Sequence, residues 1–270
     1  LAFHAGKAEL RDKALHYLTL AGDLSMSTYL NRQASDYFTR ALAFVPADDL
    51  LTQFELLIKR AECSHNRGDT SSQVDDLARL ESLARDLADD GLLARVLTRQ
   101  AYRSSMTGDY PNAVKYAFQA QELAKAAGDN ATLLSLQIVL PDALTHTGKL
   151  TEAKRYAEDG LKYARKVNDP HSEAYALTAL GLVTLELEGP TAARQHQESA
   201  LALAQQVRDR NLEAKVLNNL AISVGVSQGD YHAAREYFQL SLAIFHEHGN
   251  QRGKGLILAT LGCLTGNLGD

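Results

Sequence analysis

Two adjacent asparagines, Asn218 and Asn219, stand at the front of an apolar stretch with helical periodicity. Asparagine is a poor helix former, and its amide both donates and accepts hydrogen bonds. Such a pair is suited to binding the backbone of an extended ligand. The alternative, which the sequence leaves open, is that an amide faces solvent or bonds a neighbouring turn, as asparagines commonly do.

Two arginines one helical turn apart, Arg95 and Arg99, are the second candidate for binding chemistry. Guanidinium groups at this spacing can clamp a carboxylate or a phosphate on a ligand. More often such a pair only solvates the surface of a helix, because exposed charges contribute little binding energy. We favour that second interpretation for these arginines.

Sequence motifs for catalysis and for metal binding are missing. No HExxH, Cys-x-x-Cys or GxSxG pattern occurs, and His246 and His248 point to different faces of a helix. The segment 249–255, GNQRGKG, is similar to a phosphate-binding loop, but no strand precedes it and no Ser or Thr follows Lys254. We therefore expect no enzyme activity, no metal and no cofactor.

Composition limits the classes of partner. The net charge is −5, and no block of Lys and Arg is present, so we expect neither direct nucleic-acid binding nor membrane binding. Cys63 and Cys263 have no metal-type or redox-type partner nearby, which favours free thiols in a cytoplasmic protein. Because the chain begins at Leu1 and not at Met, we expect it to be a fragment of a longer protein.

The sequence repeats itself at a fixed spacing. One series of small or helix-interrupting residues has steps of 40: Ala61, Ala101, Pro141, Gly181 and Ala221. A second series keeps nearly the same phase but ends with a step of 41: Gln73, Ala113, Ala153, Ala193 and Ala234. A period of this size is typical of helical-repeat arrays.

Between the two series lie turn and capping signals, and the apolar period elsewhere is helical. Each unit is thus predicted to be a pair of antiparallel helices, which approach closely because Ala or Gly faces the neighbour. The predicted pairs span 49–88, 90–127, 129–167, 169–208 and 210–248, and a lone helix spans 250–268.

Units such as LNNLAISVGVSQGDYHAAREYFQLSLAIF resemble tetratricopeptide repeats. The shared features are a leucine and a small residue in the first helix, Gly-Asp-Tyr at the turn, and Ala234, Phe238 and Ser241 in the second. The resemblance implies an all-α, right-handed superhelical solenoid of antiparallel helix hairpins. Three residues depart from the pattern: Gln73 replaces an alanine, Gln197 replaces an aromatic, and Pro141 should kink its helix.

The segment 1–46 differs from the repeats, since Ala14 and Ala34 lie only half a repeat apart. We predict three compressed helices there, at 12–21, 23–30 and 33–45, followed by the solenoid over 47–270. This segment resembles the linker after the nucleotidase module of large bacterial signal-transducing ATPases fused to cyclases or transcription activators. The resemblance implies that the chain is the carboxy-terminal sensor or scaffold arm of such a protein.

In such arrays one face of each first helix forms the concave wall that binds peptides or partner helices. The predicted ligand-groove residues on this wall are Lys59, Glu62, Arg95, Arg99, Tyr102, Asp142, His146, Tyr175, Asn218 and Asn219. The leading hypothesis is a scaffold that binds a protein segment or a regulatory domain. The alternative is a sensor of a small molecule or peptide pheromone that controls an attached activator or cyclase.

The end of the chain generates a first prediction. Residues 256–268 include five leucines on a helix without a hairpin mate, and an uncovered stacking face is adhesive. We expect a homodimer in which two terminal helices cover each other, detectable by light scattering. A version extended by about one helix, roughly 20 residues by the repeat period, should remain monomeric. If both are monomeric and melt at the same temperature, the face is already covered.

Overall fold

The computed structural model describes the backbone of residues 2–226 and 229–268 and the side chains of residues 10–223, 225 and 229–262. Within these ranges the chain forms α-helices and one π-helical turn, with no strand, so the all-α prediction is confirmed. The helices are α1 Ala2–Ser27, α2 Asn31–Leu42, α3 Leu50–Arg67, α4 Thr70–Asp86, α5 Asp90–Met106, α6 Tyr110–Ala127, α7 Asn130–His146, α8 Leu150–Lys166, α9 Pro170–Glu188, α10 Pro190–Gln206, α11 Arg210–Ala221, α12 Tyr231–Glu247 and α13 Gln251–Leu268. The π turn is Ile222–Val226, directly after α11.

The contacts group the described residues into two compact units. The first unit contains residues 2–89 and 246–252, and the second contains 90–226, 229–245 and 253–268. The division at residue 46 that the sequence suggests stays a prediction.

Aspartates at the repeat boundaries begin several helices. The Asp169 carboxylate accepts hydrogen bonds from the backbone amides of His171 and Ser172, and the Asp209 carboxylate accepts one from the Leu212 amide at 2.9 Å. These bonds satisfy amides that have no partner inside the helix. The side-chain hydrogen bond from Ser172 is the main reason that the pKa of Asp169 lies below its ordinary value.

Alanines allow the helices of the second unit to pack closely. Ala113, Ala117 and Ala120 on α6 are fully buried, and so are Ala153 and Ala157 on α8. Ala117, Ala120, Ala153 and Ala157 lie in one core with larger side chains from the first helices, namely Leu97, Leu136, Leu140, Leu144, Leu180 and Val183. The small residue of one helix thus faces the bulky residue of its neighbour, as the repeat pattern predicts.

The prediction of three short helices before residue 46 is wrong, because α1 is continuous through Gly22. A side chain added at Gly22 would place its Cβ 2.5 Å from Cε1 of Phe38 on α2. Gly22 therefore permits a close helix crossing in the first unit and does not end a helix. Sequence periodicity cannot separate these two uses of glycine, since both remove a side chain from a helical pattern.

Two further residues named from the sequence have mixed outcomes. Helix α7 runs without interruption through the buried Pro141, and the kink expected there stays a prediction. Cys63 is a buried free thiol whose pKa is raised to about 12, mainly by burial and secondly by the charge of Glu62. The side chain of Cys263 lies outside the described residues.

The terminal helix α13 packs on α12 through one side. Ile257 is fully buried and Leu261 is partly buried in a core with Phe245, whereas Leu256 and Leu258 are more than half exposed. The side chains of Leu264 and Leu268 and all of Gly269 and Asp270 lie outside the described residues. The two exposed leucines are the described part of the face on which the homodimer proposal depends.

Two glycines of α13 provide a matched test of this packing. An added Cβ at Gly253 would lie 2.6 Å from the Phe245 ring, whereas at Gly255 it would meet nothing within 4 Å. Gly253→Ala should therefore cost about 1–3 kcal/mol of unfolding free energy through overpacking. Gly255→Ala should gain roughly 0.5–1 kcal/mol, since alanine is the better helix former. Thermal melts of both variants check this, and equal shifts would contradict the packing of α13 on α12.

Candidate functional site

The predicted groove residues all lie on the first helices of their pairs, but they divide between the two units. Lys59 and Glu62 lie on α3 in the first unit. The other eight lie in the second unit: Arg95, Arg99 and Tyr102 on α5, Asp142 and His146 on α7, Tyr175 on α9, and Asn218 and Asn219 on α11. The side chains of these eight on α5, α7, α9 and α11 are called the first-helix face below.

In the first unit, Lys59 is already engaged. Its Nζ donates to both carboxylate oxygens of Asp23 on α1, at 2.7 and 3.0 Å. Glu62 is half-buried one turn further along α3. The ion pair with Asp23 gives Lys59 a structural role between α1 and α3.

Asp142 and His146 belong to a polar cluster that joins α5, α6 and α7. The Ser105 hydroxyl donates to Oδ2 of Asp142 at 2.5 Å, and Nε2 of His146 lies 3.9 Å from Oδ1 of the same carboxylate. The Tyr110 ring stacks on the His146 ring with centroids 4.3 Å apart. Burial, and then the charge of Asp142, raises the pKa of Tyr110. The serine hydroxyl thus donates to the carboxylate of Asp142, and the same carboxylate faces the histidine.

Tyr175 belongs to a second cluster of the same kind, between α9 and α11. Its hydroxyl lies 3.3 Å from Oδ2 of Asp209, and Nε2 of His171 lies 2.9 Å from the same oxygen. Asp209 also caps α11, so this carboxylate fixes the start of the helix that carries the asparagines. Tyr175 is thus held by its neighbouring repeat.

These contacts reveal partners that the sequence analysis missed. Ser105 bonds Asp142, Tyr175 bonds Asp209, and Lys59 bonds Asp23, and in each pair the two residues are separated by nearly one repeat. Each bond therefore joins a first helix to a neighbouring helix or to its cap. The sequence contains these polar pairs at this separation. They can be recognised as partners only when it is known which side chains of two helices face each other.

The arginine pair is half-buried. The pKa of Asp129, which caps α7, lies below its ordinary value. Burial alone would raise this pKa, but hydrogen bonds from Thr132 lower it by more, and the charge of Arg95 adds a smaller lowering. Arg99 is one turn along, and Tyr102 packs at the edge of the alanine-rich core. The charge of Arg95 thus favours the ionised form of the carboxylate that caps α7.

The asparagines differ from the other candidates. Asn218 is 7% exposed, and its Oδ1 is enclosed without a hydrogen-bond partner among the described residues. Asn219 is half-buried. An enclosed carbonyl oxygen without a donor costs about 1–3 kcal/mol, so a bound N–H group would recover that free energy. On the first-helix face, the Asn218 amide is therefore the group whose enclosed acceptor no described residue uses.

Apolar side chains accompany the asparagines. Leu182 and Leu185 on α9 are half-buried, and so is Ile222 at the start of the π turn. The α9 and α11 repeats thus carry half-buried apolar side chains as well as the amides.

Searches for other kinds of site add little. Within the described residues, no group of three or more His, Cys, Asp and Glu side chains could hold a metal ion. No helix in the described ranges is both long and apolar enough to cross a membrane.

Comparison with known proteins defines the repeat type. Residues 172–247 match the family model described as tetratricopeptide repeat. A search of curated protein sequences finds no significant match.

Solved structures share the fold across nearly the whole chain. A Rap protein complexed with competence and sporulation factor is 14% identical with a TM-score of 0.72, covering 95% of this chain and 76% of that one. NprR in complex with its cognate peptide NprX is 15% identical with a TM-score of 0.70, covering 91% and 72%. A signal-transduction ATPase with a tetratricopeptide-repeat sensor from Pyrococcus horikoshii is 19% identical with a TM-score of 0.59, covering 96% and 38%.

Proposed function

We propose that this chain, an array of tetratricopeptide repeats, is a protein-interaction module that binds an extended peptide segment on the first-helix face of its second unit. The observation that carries the proposal is the Asn218 amide, which is buried and whose Oδ1 has no partner among the described residues. An extended peptide presents backbone N–H groups at regular intervals, and such groups match this acceptor. Asn219, half-buried beside it, supplies a second amide.

The polar clusters support this assignment indirectly. The groups that tie the first helices together, such as Asp142 and Tyr175, are used within the fold. They tie α5 to α7 and α9 to α11, and a preorganised face loses less entropy when an extended ligand binds. Arg95 and Arg99 extend the face toward α5, where their cationic groups favour an acidic group on the ligand.

The solved neighbours support the same reading. One of them was solved with its cognate peptide, and another with competence and sporulation factor. The neighbour from Pyrococcus horikoshii is described as an ATPase with a repeat sensor, and the present chain spans 38% of it. These likenesses support the proposal that the chain is the sensor arm of a cytoplasmic signalling ATPase, in which the bound peptide acts on an attached cyclase or activator.

We further propose that the module is not itself an enzyme. In the cluster of Ser105, Asp142 and His146, the serine hydroxyl donates to a carboxylate that helps to join α5 to α7, a contact that serves the fold. One solved neighbour is described as an aspartyl phosphate phosphatase from Bacillus subtilis, with 14% identity and a TM-score of 0.69. Phosphatase activity is therefore the activity to assay first. Homodimerisation through α13 stays a separate proposal.

The experiment begins with selection of short random peptides displayed on phage against the full chain. Calorimetry then measures the affinity of the best selected peptide. Asn218→Ala, alone or with Asn219→Ala, should weaken binding by about 1–3 kcal/mol, because a ligand-facing amide is lost. The melting temperature should not fall, since the replaced oxygen makes no bond to the described residues.

Asn130→Ala is the matched control. Asn130 is an exposed asparagine at the first position of α7, outside the first-helix face. This variant should bind the selected peptide like the unmodified chain. If selection yields no binder, or if Asn218→Ala and Asn130→Ala bind equally well, the assignment of the face is wrong.

A further inference from the structure

One repeat of the second unit is longer than the others. The spacing from the first residue of the first helix to the first residue of its partner is the same in three repeats: Asp90 to Tyr110, Asn130 to Leu150, and Pro170 to Pro190. The spacing from Arg210 of α11 to Tyr231 of α12 exceeds it by one position. The additional residue explains why the second small-residue series ends with a step of 41. It falls in the segment that follows the asparagine pair.

The π turn Ile222–Val226 accommodates this residue. A π-helical turn contains more residues than an α-helical turn, so it lengthens the chain by one residue without ending the helix. The Ile222 amide donates to the carbonyl oxygens of both Asn218 and Asn219. Because Asn218 lies four residues before Ile222 and Asn219 three, these are bonds of α-helical and tighter geometry, and the π turn follows directly after them.

Gln197 on α10 reaches this turn from the preceding repeat. Its Nε2 donates to the hydroxyl of Ser223 at 2.9 Å, and both residues are only 1% exposed. An added Cβ at Gly181 would lie 2.7 Å from Cγ of Gln197, so the glycine leaves room for the amide. The equivalent buried residues of the other repeats are apolar: Leu77, Ala117, Ala157 and Phe238.

This arrangement does not favour stability. The Oδ1 of Asn218 and the Oε1 of Gln197 are both enclosed without a partner among the described residues, whereas an apolar residue at position 197 would bury no polar group. Departures from a regular pattern that carry such a cost concentrate at functional sites. Two of the departures noted in the sequence, Gln197 and the step of 41, meet at one hydrogen bond in the segment after the asparagine pair.

We infer that Gln197 is a positioning residue: its bond to Ser223 holds the π turn and, through that turn, fixes the orientation in which Asn218 meets a peptide. The inference rests on the proposed function, because it assigns the purpose of the turn to that site. It adds a residue that does not itself contact the ligand. It also gives α10, the second helix of its pair, an indirect role in peptide binding on the first-helix face.

The first test needs no ligand. In Gln197→Leu and in Ser223→Ala, the side-chain amide resonances of Asn218 should shift in NMR spectra of the full chain. The Ile222 and Ser223 backbone amides should also exchange with solvent faster. Ser223→Thr, which keeps the hydroxyl, should leave the Asn218 resonances and the exchange rates as they are in the unmodified chain.

The control is Thr178→Val, because the Thr178 side chain is also buried and its hydroxyl donates to the carbonyl oxygen of Ala174 one turn earlier. Unchanged Asn218 resonances in Gln197→Leu and Ser223→Ala would overturn the inference.

The second test uses the peptide selected on phage as the probe. Gln197→Leu should weaken its binding roughly tenfold, within the range of coupling between residues of one network. In the Asn218→Ala background the same change should have no further effect, because the amide that it positions is gone. Equal loss in both backgrounds, or loss of melting temperature without loss of affinity, would overturn the positioning role. If no peptide is selected, the proposed function fails, while the NMR test still decides whether Gln197 holds the turn.

Discussion

The close approach of antiparallel helices is the constraint on which the rest of the structure depends. Two helices pack at short distance only where a side chain is nearly absent, and Ala or Gly occupies most of these points in the repeats. Ala101, Gly181 and Ala221 serve on first helices, and Ala113 and Ala193 serve on second helices; each is buried. Because each hairpin is closed in this way, the outer residues of the first helices are free to differ from repeat to repeat.

Polar contacts then join one first helix to the next. The carboxylates of Asp142 and Asp209 each contact the side chains of two other residues, and the Asp209 carboxylate also caps α11. These bonds occupy much of what the sequence alone suggests is ligand-binding surface. The Asn218 amide is the exception, since its buried oxygen has no partner among the described residues. The regular contacts maintain the face, and we propose that the irregular repeat supplies its binding chemistry.

The repeat period, the capping signals and the all-α class could be predicted from sequence because they depend on local chemistry. The length of α1 could not, since Gly22 is a packing contact with Phe38 that only the folded chain reveals. The groove residues were placed on the correct helices, but their partners were not identified. A bond such as that from Ser105 to Asp142 depends on which faces of two helices meet. The π turn left a trace in the step of 41, and its bond to Gln197 required the structure.

The central claim is that an extended peptide binds along the first-helix face of the second unit. Hydrogen exchange of the full chain, measured by mass spectrometry with and without the selected peptide, tests it most directly. The account predicts slower exchange in α9 and in the segment from α11 through Ile222–Val226, with little change in α6 and α8. Protection confined to second helices, with no change around Asn218, would contradict it.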